Sequence, residues 1–242
     1  MNEDTDNTGP GMELSPTGPL LLSSILYAIG SVLVFAGQWL IFNMPPFQMV
    51  YRVVGAVGCL FLVLHAMLEM RLDVNMGPRS ITHMRYREKP LLEDDNATLK
   101  LNLWQSTVFG LGALFQGIAL LSPLRPLLWL QLIASLLYLD SSILIYISRG
   151  RRDCCCCCGE TDPPTTLDRL GNAVFTAASV LLFLGALDQL RNSNEFLGAF
   201  LIYGSSFLLA ISGLAYFMAD TLRHCQTMNE RRVRQQEYRQ IE

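Results

Sequence analysis

The feature of this sequence that most restricts its fold is a long uncharged stretch near the amino terminus. Between Glu13 and Arg52 the chain contains no Asp, Glu, Lys, Arg or His, and apolar residues dominate. A helix needs about 20 apolar residues to cross the hydrocarbon core of a bilayer. Because lipid offers no partners to backbone amides, a spanning segment has to be helical. We therefore predict a membrane-spanning helix at residues 20–42.

Five more segments are apolar over a similar length and contain few charges. They cover residues 49–70, 101–121, 127–148, 170–187 and 196–218. The composition agrees, because 51% of the residues are hydrophobic and only 16% are charged, whereas about a quarter are charged in soluble domains. The sequence therefore predicts an all-α polytopic membrane protein with six transmembrane helices, arranged as three tandem helical hairpins.

The six spans divide the chain into hairpins and polar connections. We place hairpin 1 at 20–71, hairpin 2 at 101–148 and hairpin 3 at 170–219. The other segments are a disordered acidic tail at 1–19, a loop at 72–100, a Cys-rich loop at 149–169 and a helical tail at 220–242. The amino terminus lacks the basic region of a signal peptide, so we expect the first span to remain in the mature protein.

Basic residues predict how the protein is oriented. Six spans leave both termini on one side, and the segments on that side hold 15 of the 18 Lys and Arg residues. Because cytoplasmic loops are enriched in basic residues, we expect cytoplasmic termini, in the plasma membrane or an endomembrane of a eukaryotic cell. The sequon that begins at Asn96 then faces the cytoplasm, where it stays unmodified. A glycan on Asn96 would invert this orientation.

The hairpins share a sequence pattern that predicts an internal repeat. Spans 1 and 5 both contain S-V-L-x-F-x-G, at residues 31–37 and 179–185. An aromatic residue precedes this pattern in both spans, at Tyr27 and Phe175, and span 3 keeps that aromatic residue as Phe109. Glycine and serine at matching positions favour close helix packing, which lipid-embedded helices need in order to associate.

Two of these strings resemble a known family. "IGSVLVF" in hairpin 1 and "YGSSFLL" in hairpin 3 are similar to the YrhK-type small membrane domain, a family of two-helix units. The resemblance covers hairpins 1 and 3 alone. It implies a helical-hairpin architecture and no activity or functional residues.

Two acidic residues and one histidine lie within the predicted spans. Asp140 is near the middle of the fourth span, and His65 and Glu69 are one helical turn apart on one face of the second. Because charge is costly in a membrane, such residues are candidates for a functional site. They suggest a proton or cation path in which Asp140 changes charge and His65 relays protons, since imidazole titrates near neutrality. In the alternative, Asp140 is protonated or hydrogen-bonded to a neighbouring helix, and Glu69 lies at the interface beside Arg71.

Sequence motifs of enzymes and metal sites are not found. The chain has no HExxH, no GxSxG and no phosphate-binding glycine loop. Its three histidines, His65, His83 and His224, would need cysteines to complete a metal site. We therefore expect a protein that is not an enzyme, with no metal, cofactor or nucleic-acid partner.

A run of five cysteines follows the fourth span. The run consists of Cys154, Cys155, Cys156, Cys157 and Cys158. Arg149, Arg151 and Arg152 precede it, and basic residues attract anionic lipids and favour thiolate. Because cytoplasmic thiols beside a span are sites of reversible acylation, we predict S-palmitoylation of this run. Disulfides and metal ligation fit less well, since adjacent cysteines pair poorly and metal ligands are normally spaced. An unmodified run is the remaining alternative.

The carboxyl-terminal tail adds a candidate sorting signal. "YRQI", from Tyr238 to Ile241, resembles a tyrosine-based endocytic signal, which binds by strand addition and two side-chain pockets. We interpret the chain as a scaffold or sorting protein whose partners are the lipid bilayer, anionic lipids and other membrane proteins or a second copy. The alternative is a small transporter or proton-coupled channel that uses Asp140 and His65.

Overall fold

The structure is a computed structural model that describes residues 17–43, 48–76, 95–121, 126–149, 163–191 and 195–241. Each range is one α-helix. The helices are α1 (Thr17–Asn43), α2 (Gln48–Met76), α3 (Asp95–Leu121), α4 (Pro126–Arg149), α5 (Pro163–Arg191) and α6 (Glu195–Ile241). All six are long and apolar enough to cross a membrane. The predicted all-α class with six spanning helices is therefore confirmed.

The helices are longer than the apolar segments that revealed them. Helix α3 begins at Asp95, six residues before its apolar segment, and α6 continues to Ile241. Hydropathy marks the part of a helix that fits in lipid, whereas the helix itself continues through polar residues until its hydrogen bonding is interrupted. At 1.5 Å per residue, the 47 residues of α6 extend over about 70 Å. Helices α4 and α5 begin at Pro126 and Pro163, where the missing N–H of proline costs no hydrogen bond.

The six helices form a closed antiparallel ring. Each helix packs on its neighbours in the chain, and α1 also packs on α6. The Thr17 hydroxyl, at the start of α1, hydrogen-bonds His224 Nδ1 of α6 at 2.8 Å. At the opposite end Arg52 Nη1 donates to the Leu120 carbonyl at 3.3 Å. We call the end with Thr17 and His224 the terminal end and the other the far end.

Helices α1 and α2 contact each other directly through their backbones. A Cβ atom added at Gly37 would lie 2.6 Å from the Gly55 nitrogen and 2.8 Å from the Tyr51 carbonyl oxygen. One added at Gly30 would lie 2.8 Å from the Gly58 carbonyl oxygen. These distances are too short for any side chain, so only glycine permits this approach.

Close contacts recur at the other seams of hairpin 3. A Cβ atom at Gly185 of α5 would lie 2.9 Å from the Gly198 carbonyl oxygen of α6. Between α6 and α1, a Cβ atom at Gly213 would overlap the buried Ser31 hydroxyl. Gly30, Ser31, Gly37 and Gly185 therefore lie where helices touch.

The interior and the outer surface of the ring differ in residue type. Many serine and alanine residues and several aromatic residues are buried, while large apolar side chains such as Leu60, Ile143 and Phe200 are exposed, at 56%, 55% and 53%. In water this distribution would be unfavourable, whereas in lipid the outward apolar side chains contact acyl chains. The surface of the ring is therefore suited to a bilayer.

Replacing Gly37 with Ala should destabilise the ring. The added methyl group would force α1 away from α2, at a cost of about 1–3 kcal/mol for overpacking. Thermal unfolding of the purified protein in detergent would measure the loss. Gly18→Ala is the matched control, because a Cβ atom at Gly18 meets nothing within 4 Å. Equal melting temperatures for the two variants would contradict the tight α1–α2 contact.

Candidate functional site

Six aromatic rings meet inside the bundle, and each helix supplies one. Ring centroids lie 5.0 Å apart for Tyr27 and His65, 5.7 Å for Tyr27 and Phe109, and 5.7 Å for Phe109 and Phe175. Tyr138 lies 5.4 Å from Phe109, and Tyr216 lies 5.6 Å from Tyr27. We call this set the aromatic layer. It consists of Tyr27, His65, Phe109, Tyr138, Phe175 and Tyr216.

A partly open cavity adjoins the aromatic layer on the side of the terminal end. All six helices contribute to its wall, and it offers about 60 Å³ to water-sized molecules. On each helix that contributes one, most of the polar side chains lie about one turn from the residue of the aromatic layer, on the side of the terminal end. They are Ser24, Glu69, Gln105, Ser106 and Ser141. We call this space the central cavity.

The far side of the aromatic layer is nearly filled. A second cavity there offers only about 10 Å³ and is lined by residues such as Gln116, Ser179 and Ser205. The Tyr138 hydroxyl donates to Gln116 Oε1 at 2.9 Å, so a hydrogen bond links the aromatic layer to α3 on its far side. Among the described helices, the cavity on the far side is therefore much smaller than the central cavity.

A hydrogen-bonded chain joins α1 and α2 at the wall of the central cavity. The Ser23 hydroxyl donates to Glu69 Oε1 at 2.6 Å. His65 Nδ1 lies 3.0 Å from the Ser23 carbonyl oxygen and 2.8 Å from the Ser23 hydroxyl oxygen. Because a carbonyl only accepts, this geometry places a proton on Nδ1, which donates to Ser23. His65, Ser23 and Glu69 thus form a continuous chain of polar groups.

Asp140 is not among the residues that line the central cavity. It is half-buried on α4, while its neighbour Ser141 is fully buried and faces the cavity. One residue of sequence rotates a helix by about 100°, so the two side chains point differently. The Ser141 hydroxyl has no hydrogen-bond partner within the described part of the chain. The structure brings His65 and Glu69 together and leaves Asp140 outside their site.

Buried charges concentrate beyond the central cavity at the terminal end. Arg223 Nη1 donates to Asp220 Oδ1 at 2.7 Å, and Arg223 Nη2 donates to Asp168 Oδ2. These side chains join α5 to α6 about one to two turns beyond Tyr216. With Glu69 and Asp73, the described helices hold four buried carboxylates and one buried guanidinium at this end. Sequence patterns had not indicated this cluster, because Asp168, Asp220 and Arg223 lie outside the apolar segments.

The remaining predicted residues lie at helix ends or between helices. Residues 150–162, which include the five cysteines, Arg151 and Arg152, lie outside the described residues, and Arg149 is the last residue of α4. Tyr238 and Ile241 belong to the last turns of α6, and Asn96 to the first turn of α3. In the described helices, no three His, Cys, Asp or Glu side chains group as metal ligands would.

These features define a multi-pass integral membrane protein with a partly polar cavity in its interior. The six helices support membrane insertion by their length and composition. No family model, curated protein or solved structure matches the chain. Its function must therefore be argued from the ring, the cavity and the helical tail.

Proposed function

We propose that this protein is a scaffold or sorting component of a eukaryotic plasma membrane or endomembrane, with both termini in the cytoplasm, and not an enzyme. The carrying observation is the end of α6, which continues from His224 to Ile241 over about 27 Å. Most of its described side chains are exposed, including Met228 and Val233. We call this segment the arm. A helix fixed to a membrane-embedded body and exposed beyond it is suited to present partners with a binding surface.

The packing of the ring supports a structural rather than a conducting role. Backbone contacts at Gly30 and Gly37 hold α1 against α2, and the aromatic layer fills the centre. The cavity beyond that layer, among the described helices, offers only about 10 Å³. A body packed in this way suits the anchoring of an arm, since a conduit needs a continuous polar path.

The tyrosine-based signal gives the sorting role a direct test. Such a signal is bound as an extended strand, so Tyr238 and Ile241 must leave the helical conformation on binding, which is easiest at a fraying helix end. Replacing both with Ala should shift a fluorescent fusion from its normal compartment towards the cell surface. Gln240→Ala, within the same turn, should leave the distribution unchanged. An unaltered distribution of the double variant would exclude this signal.

We also propose S-acylation of Cys154 to Cys158. The apolar part of α4 ends at Ile147 and the helix at Arg149, so the run begins five residues after the helix along the sequence. Arg149, Arg151 and Arg152 would lie against anionic headgroups. Since six helices already anchor the protein, acyl chains would serve to hold the loop on the bilayer or to sort the protein by membrane composition.

Replacing all five cysteines with Ser should remove hydroxylamine-sensitive acyl label from the protein. Thioester-linked acyl chains are released by hydroxylamine, so acyl-exchange labelling of the protein from cells measures them. Cys225→Ser is the matched control, because Cys225 is an exposed thiol outside the run and its loss should leave the label intact. Label that persists in the five-serine variant would place acylation elsewhere.

The central cavity favours a second candidate, a small transporter or proton-coupled channel. Its support is the chain of His65, Ser23 and Glu69 at the cavity wall. Imidazole and carboxylate groups linked by a hydroxyl can relay a proton. In this hypothesis Asp140 would carry charge across the aromatic layer, and the central cavity would belong to one state of an alternating cycle.

Proton flux separates the two candidates. In liposomes with a trapped pH-sensitive dye, the scaffold proposal predicts that an imposed pH gradient decays at the rate of protein-free vesicles. Transport would accelerate the decay, and Asp140→Asn would abolish the acceleration. Glu230→Gln, which alters an exposed carboxylate on the arm, serves as the control. Acceleration that requires Asp140 would replace the scaffold proposal with the transport one.

We further propose that the three hairpins are repeats of one ancestral unit, as the YrhK-type resemblance implies. Tyr27, Phe109 and Phe175 hold the same position in the repeated pattern. Their rings lie together in the aromatic layer, on alternate helices of the ring. Three copies of one hairpin arranged around an axis would produce this convergence.

A further inference from the structure

We propose that the central cavity binds a small organic cation, an ammonium compound of roughly four to six non-hydrogen atoms. The proposal goes beyond the scaffold and sorting role and does not depend on it. It rests on the size of the cavity, on the charges around it, and on the groups that form its wall.

The size of the cavity restricts the ligand. One water molecule requires about 10–15 Å³ of such space, and the central cavity offers about 60 Å³. The cavity therefore has room for several water molecules, or for one compact molecule in their place. Sugars, nucleotides and lipid tails are too large for this space.

The charges around the cavity favour a cation. Glu69 lines it directly, and Asp73 and Asp220 lie about one turn beyond lining residues of α2 and α6. Together with Asp168 they make four buried carboxylates within the described helices, which bury one cation, Arg223, against them. Counting the half-buried Arg169 as well still leaves an excess of negative charge. Buried charges are poorly screened, so a bound cation would be attracted over the whole width of the cavity.

The aromatic part of the wall distinguishes an organic cation from a metal ion. Tyr27, Phe109, Phe175 and Tyr216 border the same space as Glu69. Aromatic faces attract ammonium groups and also contact their alkyl carbons. A metal ion needs several oxygen ligands in place of such rings, and the described helices contain no grouped set of metal ligands.

The wall of the cavity contains a buried polar group, the Ser141 hydroxyl, that makes no hydrogen bond within the described helices. The Ser141 hydroxyl is 0% exposed, borders the cavity and has no partner within the described helices. A buried hydroxyl without a partner is unfavourable, and a ligand N–H would supply the missing donor. Gln105, on the neighbouring helix α3, adds a carbonyl that can accept from the same ammonium group.

Titration calorimetry on the full chain in lipid nanodiscs tests the proposal, with ethanolammonium chloride as the probe. Ethylene glycol is its neutral counterpart, since it has the same length with a hydroxyl in place of the ammonium group. Saturable binding of ethanolammonium, without binding of the glycol, would support the proposal. Equal binding of both, binding of neither, or an equal heat from sodium chloride at the same concentration would overturn it.

Two cavity variants locate the site. Glu69→Gln keeps the shape of the side chain and should weaken ethanolammonium binding about tenfold or more, while Ser141→Ala should weaken it by a smaller factor. Glu230→Gln, on the arm, should bind like the unaltered protein. If Glu69→Gln fails to fold, Ser141→Ala still tests the site, because alanine is smaller than serine and fits in the same buried position. Unchanged affinity in the cavity variants would overturn the assignment.

Discussion

Helices surrounded by lipid gain nothing from hiding apolar side chains, and this constraint governs the whole ring. The helices must instead gain from close contact, which explains why Gly30 and Gly37 press on the backbone of α2 and why Gly185 does the same on α6. The same constraint favours a distribution of residues unlike that of a soluble protein, in which large apolar side chains are mostly buried. Many large aliphatic side chains face outward, and the interior combines serine, alanine and aromatic rings with the remaining aliphatic residues, such as Leu62. An interior of small and polar groups is what makes a water-sized cavity among six helices possible.

The ring also has to accommodate charge at its terminal end. A single buried carboxylate in a membrane is costly, and breaking a buried ion pair typically costs several kcal/mol. Arg223 contacts Asp168 and Asp220 at once, and Glu69 accepts from Ser23. These contacts lower the cost of each group, yet they leave more carboxylates than cations. An energetic cost that the fold retains beside a cavity is better explained by a ligand than by packing, since apolar residues would pack at least as well.

The sequence predicted the six spans because hydropathy reports directly on the solvent around each segment. It also placed His65 and Glu69 on one face, since residues four apart lie on the same side of a helix. The sequence could not predict that Ser23 hydrogen-bonds both residues, because contacts between helices determine which face of α1 packs on α2. For the same reason the sequence indicated Asp140 as a candidate site residue, whereas its neighbour Ser141 is the residue that lines the cavity. One signal in the sequence does mark the site. Tyr27, Phe109 and Phe175 recur at one position of the repeat, and their rings meet in the aromatic layer.

Helix α6 contributes to the wall of the central cavity and also forms the arm, which decides how the two can influence each other. Helix α6 supplies Tyr216 to the cavity wall, holds Arg223 against α5, and continues unbroken into the arm. A ligand changes the arm only if it binds two arrangements of α6 with different affinity. The contacts of Arg223 limit such movement, because rotating α6 would separate buried charges. Any coupling must therefore work through the α5–α6 ion pair of Asp168 and Arg223. A ligand that leaves this pair in place would occupy the cavity without altering what the arm presents.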